Sequence, residues 1–175
     1  YKAIANSVEI PFMMYNVPGR TGVDLDANTT IRLFDDIKNI YGVKEATGSL
    51  ERAICLLSQR KDFVVVSGDD AIDFPMLANG AKGIISVTAN LLPNLKSQLV
   101  NSVFKGDLEK ARQINEDLYS LNSVLFCESN PIPIKAAMYL AGLLDTLEYR
   151  LPLTAPSMET LKKLEKTLEK YEVIK

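Results

Sequence analysis

Histidine and tryptophan are absent from this chain of 175 residues, and cysteine occurs only twice. Without histidine, the chain lacks the usual general base of serine and cysteine triads and the commonest protein ligand for metals. The two cysteines, Cys55 and Cys127, suggest neither a disulfide framework nor a zinc site. Any acid–base chemistry must therefore use tyrosine, lysine, aspartate, glutamate, a chain terminus or water.

An excess of positive charge and a long apolar run are also lacking. The formal net charge is -2 at pH 7 and the pI is about 5.3, so we expect no basic surface for nucleic acid or an anionic membrane. No apolar run approaches the roughly 20 residues of a membrane-spanning helix. Residues 1–11 lack the regions of a signal peptide and are typical of the end of a helix, so Tyr1 is expected not to be a natural start.

Short apolar runs alternate with helical patterns over residues 1–106. The runs are continuous, which predicts strands of a parallel sheet covered on both faces, at residues 12–15, 39–44, 63–67 and 83–87. Helices are expected between and after them, at residues 26–34, 50–59, 71–79 and 93–105. The expected helix caps are Asp26 or Asn28, Ser49, and Asp69 or Asp70. This alternation predicts an α/β fold built from βα units.

The pattern becomes purely helical after residue 106. Apolar residues recur at helical spacing over residues 108–125, 134–144 and 158–171. These stripes are interpreted as core or subunit interface rather than as a ligand groove. With a composition that is 47% hydrophobic and 24% charged, the chain can bury a real core. We therefore expect a βα part at residues 1–106 and a helical segment at residues 107–175.

Lys44 ends the second predicted strand and is the most informative residue in the sequence. A lysine that is withdrawn from water loses part of its preference for the ammonium form. The free amine can then attack a keto group and form a Schiff base. The alternative is a solvated, inert lysine at the end of a strand, which keeps its head group in water.

Other polar side chains follow the ends of neighbouring predicted strands. In parallel βα proteins, functional groups cluster at the carboxyl ends of the strands. Tyr15 and Arg20 follow the first strand, and Asp69 and Asp70 follow the third. A nucleophilic lysine, a tyrosine that moves protons and an arginine that binds a carboxylate suit imine chemistry on an anionic keto acid. The alternatives are a packing role for Tyr15, a solvated Arg20, and two aspartates that only cap a helix.

Five segments of the chain, in order, resemble the 4-hydroxy-tetrahydrodipicolinate synthase (dihydrodipicolinate synthase) family. They are YNVPGRTG at 15–22, GVKEATG at 42–48, SGDDA at 67–71, GIISVTAN at 83–90 and NPIPIK at 130–135. The resemblance covers essentially the whole chain. It implies the C-terminal half of a (β/α)8 TIM barrel, that is, its last four βα units, over residues 1–106. An α-helical C-terminal segment over residues 107–175 would follow.

The resemblance also implies a function. Members of this family condense pyruvate with aspartate-4-semialdehyde to 4-hydroxy-tetrahydrodipicolinate, on the route to diaminopimelate and lysine. The implied protein is a cytoplasmic homotetramer and a class I aldolase-type lyase that needs no metal or other cofactor. By the resemblance, Lys44 forms the imine with pyruvate, Tyr15 transfers protons and Arg20 binds the carboxylate of the semialdehyde. The backbone carbonyl of Ile85 would line the pyruvate site, and Gly68 and Asp69 would lie near the second substrate.

Two other functions remain open from the sequence. A pyruvate-dependent aldolase or lyase similar to N-acetylneuraminate lyase would share the lysine and the tyrosine, but such relatives typically lack an arginine at the position of Arg20. The second is a non-catalytic fragment that needs a complementary N-terminal half. The resemblance places only the last four strands of eight in this chain, and four strands cannot close such a barrel. We therefore expect little synthase activity from the chain alone.

Overall fold

The computed structural model describes residues 1–174, and contacts divide the chain into two compact units. The first unit is Tyr1–Ile85, and the second begins at Ser86. Each unit has its own hydrophobic core. The sequence pattern predicts a division at residue 106. That division stays a prediction, because a change in sequence pattern need not coincide with the boundary between two packed units. Within residues 1–174, no helix combines the length and the hydropathy that a membrane crossing requires.

The first unit contains a parallel sheet of three strands in the order β1-β2-β3. The strands are β1 (Phe12–Asn16), β2 (Ile40–Glu45) and β3 (Val64–Ser67). These bounds confirm the first three predicted strands to within a residue. The fourth prediction, residues 83–87, is wrong in extent, because only an isolated parallel bridge joins Ile84 to Ser67. Three backbone hydrogen bonds join residues 82–85 to β3. The chain then enters a 3-10 helix at Thr88–Asn90.

Five helices flank these strands, and side chains cap the N-termini of two of them. They are α1 (Lys2–Ala5), α2 (Pro18–Thr21), α3 (Ala27–Asp36), α4 (Leu50–Gln59) and α5 (Asp73–Ala78). The predicted caps of α3 and α4 are confirmed, because Asp26 accepts from the Thr29 amide at 2.9 Å and Ser49 accepts from the Arg52 amide at 3.2 Å. The cap predicted for α5 is wrong, since Ile72 occupies that position.

The core of the first unit forms between the sheet and its helices. Met14, Val43 and Val65 are paired in register across the three strands and are fully buried. Ala53 and Leu56 of α4 belong to the same cluster. Because side chains alternate between the faces of a strand, the next row along each strand points away from these helices. That next row contains Tyr15 and Lys44.

The second unit is helical, as the sequence pattern predicts. Its helices are α6 (Pro93–Phe104), α7 (Leu108–Val124), α8 (Ile132–Leu140) and α9 (Met158–Lys170). The core combines residues from α7, α8 and α9, including Leu121, Ala137, Leu164 and Leu168, all fully buried. The predicted apolar stripes therefore pack largely as core, whereas Leu108 and Met158 at the helix starts are exposed. α8 differs from its prediction, since it begins before residue 134 and ends before residue 144.

A carboxylate joins the start of α9 to the segment after α7. Glu128 accepts hydrogen bonds from the Ser157 amide at 3.0 Å and from the Ser157 hydroxyl at 2.9 Å. Ser157 in turn caps α9 by accepting from the Thr160 amide at 3.2 Å. Hydrogen bonds from Thr160 and Ser157 hold the pKa of Glu128 below its ordinary value of 4.5.

We predict that the contribution of Glu128 to stability depends on pH. Its pKa is lower in the folded chain, so the stabilisation is complete above about pH 4.5 and is lost as the pH falls through the folded pKa. Denaturant unfolding should show that Glu128→Gln is less stable than the unmutated protein at pH 7. The difference should shrink below pH 4.5, and a difference that grows there would contradict the prediction.

Candidate active site

A row of three residues crosses the sheet on the face opposite the buried core row. Tyr15 pairs with Lys44, and Lys44 pairs with Val66, in the parallel register of β1, β2 and β3. The Lys44 Nζ atom stands over the Tyr15 ring, 4.2 Å from its centroid, within the range of a cation–π contact. Lys44 is half-buried and Tyr15 is 45% exposed. The phenol and the amine are therefore neighbours at the carboxyl ends of adjacent strands.

Gly68 lies against the other side of the lysine. A Cβ atom at position 68 would stand 2.7 Å from Lys44 Cε and 2.9 Å from Lys44 Cγ, both inside van der Waals contact. The Gly68 amide donates to the Glu45 carbonyl at 2.8 Å, which extends the β2–β3 pairing past the end of β3. The glycine therefore gives the lysine stem its space. The structure brings three sequence-predicted residues into direct contact, namely Tyr15, Lys44 and Gly68.

The other predicted site residues lie on the segments that follow β1 and β3. Asp69 follows Gly68, and its carboxylate accepts from the Ala71 amide at 3.0 Å. The Ile85 amide donates to the Ser67 carbonyl at 2.8 Å, which fixes Ile85 beside the end of β3. Arg20 lies in α2, directly after β1, at an exposed position. Asp70, the alternative helix cap, is 1% exposed.

A buried ion pair that the sequence pattern does not predict lies behind Lys44, on the opposite face of the sheet. Glu45 is 1% exposed, and its carboxylate accepts a hydrogen bond from Arg52 Nε at 2.7 Å. The amide of Thr47 donates to the other Glu45 oxygen at 2.9 Å. Arg52 comes from the first turn of α4, with its side chain 12% exposed. A buried carboxylate is costly unless it is paired and hydrogen-bonded, and Glu45 has both kinds of partner.

The same arginine reaches the residues that follow β1. Its guanidinium donates to the Leu25 carbonyl and forms an ion pair with Asp24 at 3.6 Å. Asp24 accepts from the Asn16 side-chain amide at 2.9 Å, and the Leu25 amide donates to the Asn16 side-chain oxygen at 3.1 Å. Asn16 is 2% exposed and immediately follows Tyr15. One network therefore holds the residues that follow both Tyr15 and Lys44.

One signal in the sequence could have revealed this network. Glu45 follows an apolar strand at a position whose side chain points toward the helices, where a charge requires a partner. Arg52, the basic residue in the first turn of the next helix, is the partner that such a position needs.

Among residues 1–174, no group of three or more His, Cys, Asp and Glu side chains is placed to hold a metal ion.

Comparison with known proteins decides the family. A family model described as "Dihydrodipicolinate synthetase family" matches residues 1–171. This chain belongs to that family. It is 76% identical over all 175 residues to the 4-hydroxy-tetrahydrodipicolinate synthase of Aliarcobacter butzleri (strain RM4018) and covers 59% of that protein. It is 62% identical over 174 residues to the synthase of Sulfurovum sp. (strain NBC37-1), again covering 59%.

Solved structures of the family share the fold of this chain. Dihydrodipicolinate synthase from Aquifex aeolicus matches 98% of the chain with a TM-score of 0.94 and 40% identity, over 59% of its own length. The Thermotoga maritima enzyme matches 99% with a TM-score of 0.95 and 38% identity, over 60% of its length. The family and the fold class predicted from the sequence, part of a (β/α)8 barrel followed by helices, are confirmed. The chain spans about three fifths of these relatives, and the residue roles stay predictions.

We predict that Gly68→Ala displaces Lys44. The new methyl group would overlap the lysine stem, so the amine would move away from Tyr15. Trapping of a pyruvate adduct on Lys44 by borohydride, followed by mass spectrometry, should slow by about 100-fold, the cost of a small misplacement of a reacting group. Gly83→Ala is the matched control, because its methyl group would meet only Val66 at 3.9 Å. Equal trapping rates in the two variants would contradict the prediction.

Proposed function

We propose that this chain provides the Schiff-base lysine and the proton-transferring tyrosine of a 4-hydroxy-tetrahydrodipicolinate synthase. The reaction is the condensation of pyruvate with aspartate-4-semialdehyde. The observation that carries the proposal is the contact between Lys44 and Tyr15, with the amine 4.2 Å from the ring centroid at adjacent strand ends. The curated relatives carry the name of this enzyme, and a solved relative from Acinetobacter baumannii is described as complexed with pyruvate.

The proposed chemistry begins at the amine of Lys44. The neutral amine attacks the keto carbon of pyruvate, and the carbinolamine loses water to give the imine. Tyr15 donates the proton that lets the hydroxyl group leave as water. The tyrosinate that remains accepts a proton from the pyruvate methyl group and so gives an enamine, whose carbon attacks the aldehyde carbon of the semialdehyde while Tyr15 returns the proton to the new alkoxide. The amino group of the semialdehyde then displaces Lys44 from the imine, which closes the ring and frees the amine. Tyr15 is 45% exposed, which leaves room for it to meet a substrate that is bound to Lys44.

The remaining predicted residues would bind the substrates. Arg20, exposed after β1, would hold the carboxylate of the semialdehyde with its planar guanidinium. Ile85 would present its backbone carbonyl to pyruvate. Gly68 and Asp69, at the end of β3, would lie near the second substrate. The presence of Arg20 favours the synthase over a lyase that acts on sialic acid, and comparing turnover of the two substrates tests that choice.

The active protein would be larger than this chain. Because the chain spans 59% of its relatives, we assign the full reaction to this chain together with a complementary N-terminal half. A closed site excludes water and holds the reacting groups in place, which part of a barrel cannot do. We further propose a class I aldolase-type mechanism in a homotetramer of the cytoplasm.

We predict that Lys44→Ala abolishes imine formation. The protein at its natural full length is incubated with pyruvate and borohydride, and its intact mass is measured before and after. A single reduced adduct should map to the peptide that contains Lys44 and should be absent in Lys44→Ala. Lys170→Ala is the matched control, because Lys170 also stands over a tyrosine, 5.5 Å from the Tyr171 ring centroid. Equal trapping in Lys44→Ala, or no adduct on the unmutated protein, would refute the proposal.

We predict that Tyr15→Phe slows imine formation while it keeps an aromatic ring beneath Lys44. The variant lacks only the hydroxyl that transfers the proton, so the single-turnover trapping rate should fall about 100-fold or more. Tyr41→Phe removes the hydroxyl of an exposed tyrosine on β2 and should leave the rate unchanged. An unchanged rate in Tyr15→Phe would show that the ring, and not the hydroxyl, is the functional part.

A further inference from the structure

We propose that Arg52 is a positioning residue that holds Lys44 and Tyr15 in contact. The inference rests on the proposed function for its catalytic meaning. Arg52 lies in α4, on the face of the sheet opposite to the side chains of Lys44 and Tyr15. It acts on the two residues that follow the pair, Glu45 after Lys44 and Asn16 after Tyr15.

The lysine side of the arrangement depends on Glu45. The carboxylate is 1% exposed, and both of its oxygens are occupied, one by Arg52 Nε at 2.7 Å and one by the Thr47 amide at 2.9 Å. Successive side chains of a strand point to opposite faces. Fixing the Glu45 side chain toward α4 therefore fixes the backbone from which Lys44 projects on the other face. The Gly68 amide holds the same backbone at the Glu45 carbonyl, at 2.8 Å.

The tyrosine side depends on Asn16 and the turn after α2. Arg52 donates to the Leu25 carbonyl and lies 3.6 Å from Asp24. These two residues are the partners of the Asn16 side chain, at 3.1 and 2.9 Å. The Ala46 amide also donates to the Asn16 carbonyl at 3.0 Å, which joins the ends of β1 and β2 directly. Movement of Arg52 would therefore loosen the side-chain contacts of Glu45 and of the Asn16 partners together, while the backbone bonds between the strands remain.

The shape of the guanidinium explains why an arginine stands here. It presents donors in several fixed directions, and at this position they reach a carboxylate, a carbonyl and the Thr30 hydroxyl at 3.3 Å. A lysine supplies the same charge as a single point on a flexible stem. A role limited to neutralising the buried Glu45 would be met by either residue. A positioning role requires donors that are fixed in several directions. The Arg52→Lys variant therefore distinguishes positioning from simple charge neutralisation.

The experiment measures the geometry of Lys44 directly. Lysines of the full-length protein are dimethylated with ¹³C-formaldehyde, and the Lys44 signal is assigned by its absence in Lys44→Arg. A methyl group above the Tyr15 ring is shifted upfield by the ring current. We expect this shift in the unmutated protein and its loss in Arg52→Lys, with both proteins folded by circular dichroism.

The rate of imine formation is measured in parallel on unmethylated protein. In Arg52→Lys the maximal single-turnover trapping rate should fall about 10- to 100-fold, because the amine is misplaced. The pyruvate concentration at half-maximal rate should change less than the maximal rate does, because Arg52 lies behind the sheet. Arg60→Lys is the matched control, since Arg60 follows α4 and pairs with Asp35 through two nitrogens, at 2.6 and 3.0 Å. It should change neither the shift nor the rate.

A second variant guards against a folding failure. Glu45→Gln keeps an acceptor for the Thr47 amide and removes the anion that orients Arg52, so it should also lose the ring-current shift. If Arg52→Lys and Glu45→Gln fold and keep both the shift and the rate, the positioning role is wrong. If the unmutated protein shows the shift but traps no pyruvate, and the variants lose the shift, the proposed function fails while the positioning role stands.

Discussion

Parallel pairing of β1 with β2, in one register from Met13 to Asn16, is the constraint on which the candidate site depends. Side chains alternate along a strand, so the pairing that buries Met14 beside Val43 also sets Tyr15 beside Lys44 on the other face. A slip of one residue would turn Lys44 toward the helices and expose the core row. The burial of apolar side chains therefore determines the register, and the register determines which functional groups meet.

Tight contact between the strands adds a second constraint. A Cβ atom at Gly42 would stand 2.2 Å from the Val64 carbonyl oxygen, so β2 can approach β3 this closely only without a side chain there. Gly68 has the same relation to the stem of Lys44. The two glycines are needed for space and not for an unusual backbone angle, which distinguishes them from the turn glycines with positive φ, such as Gly22 and Gly48.

Local patterns predicted much of the fold, and long-range contacts account for the rest. The strands and the caps at Asp26 and Ser49 follow from apolar runs and capping chemistry within a few residues. The start of α5 was missed because Asp69 bonds to Ala71 in a turn and does not cap the helix. The ion pair between Glu45 and Arg52 was missed because both residues appear as ordinary charges until their burial is known. Lys44 and Tyr15 were found because strand ends are visible in the sequence, whereas their contact required the register.

The arrangement of the site has a consequence for how it assembles during folding. One βα unit separates Tyr15 from Lys44, and one more separates Lys44 from Gly68. The contacts among them are thus among the most local that a parallel sheet allows, and short loops close at low entropic cost. The reacting pair can form as soon as adjacent units dock. Groups from more distant segments close longer loops, so we expect the amine and the phenol to meet before the pocket around them is complete.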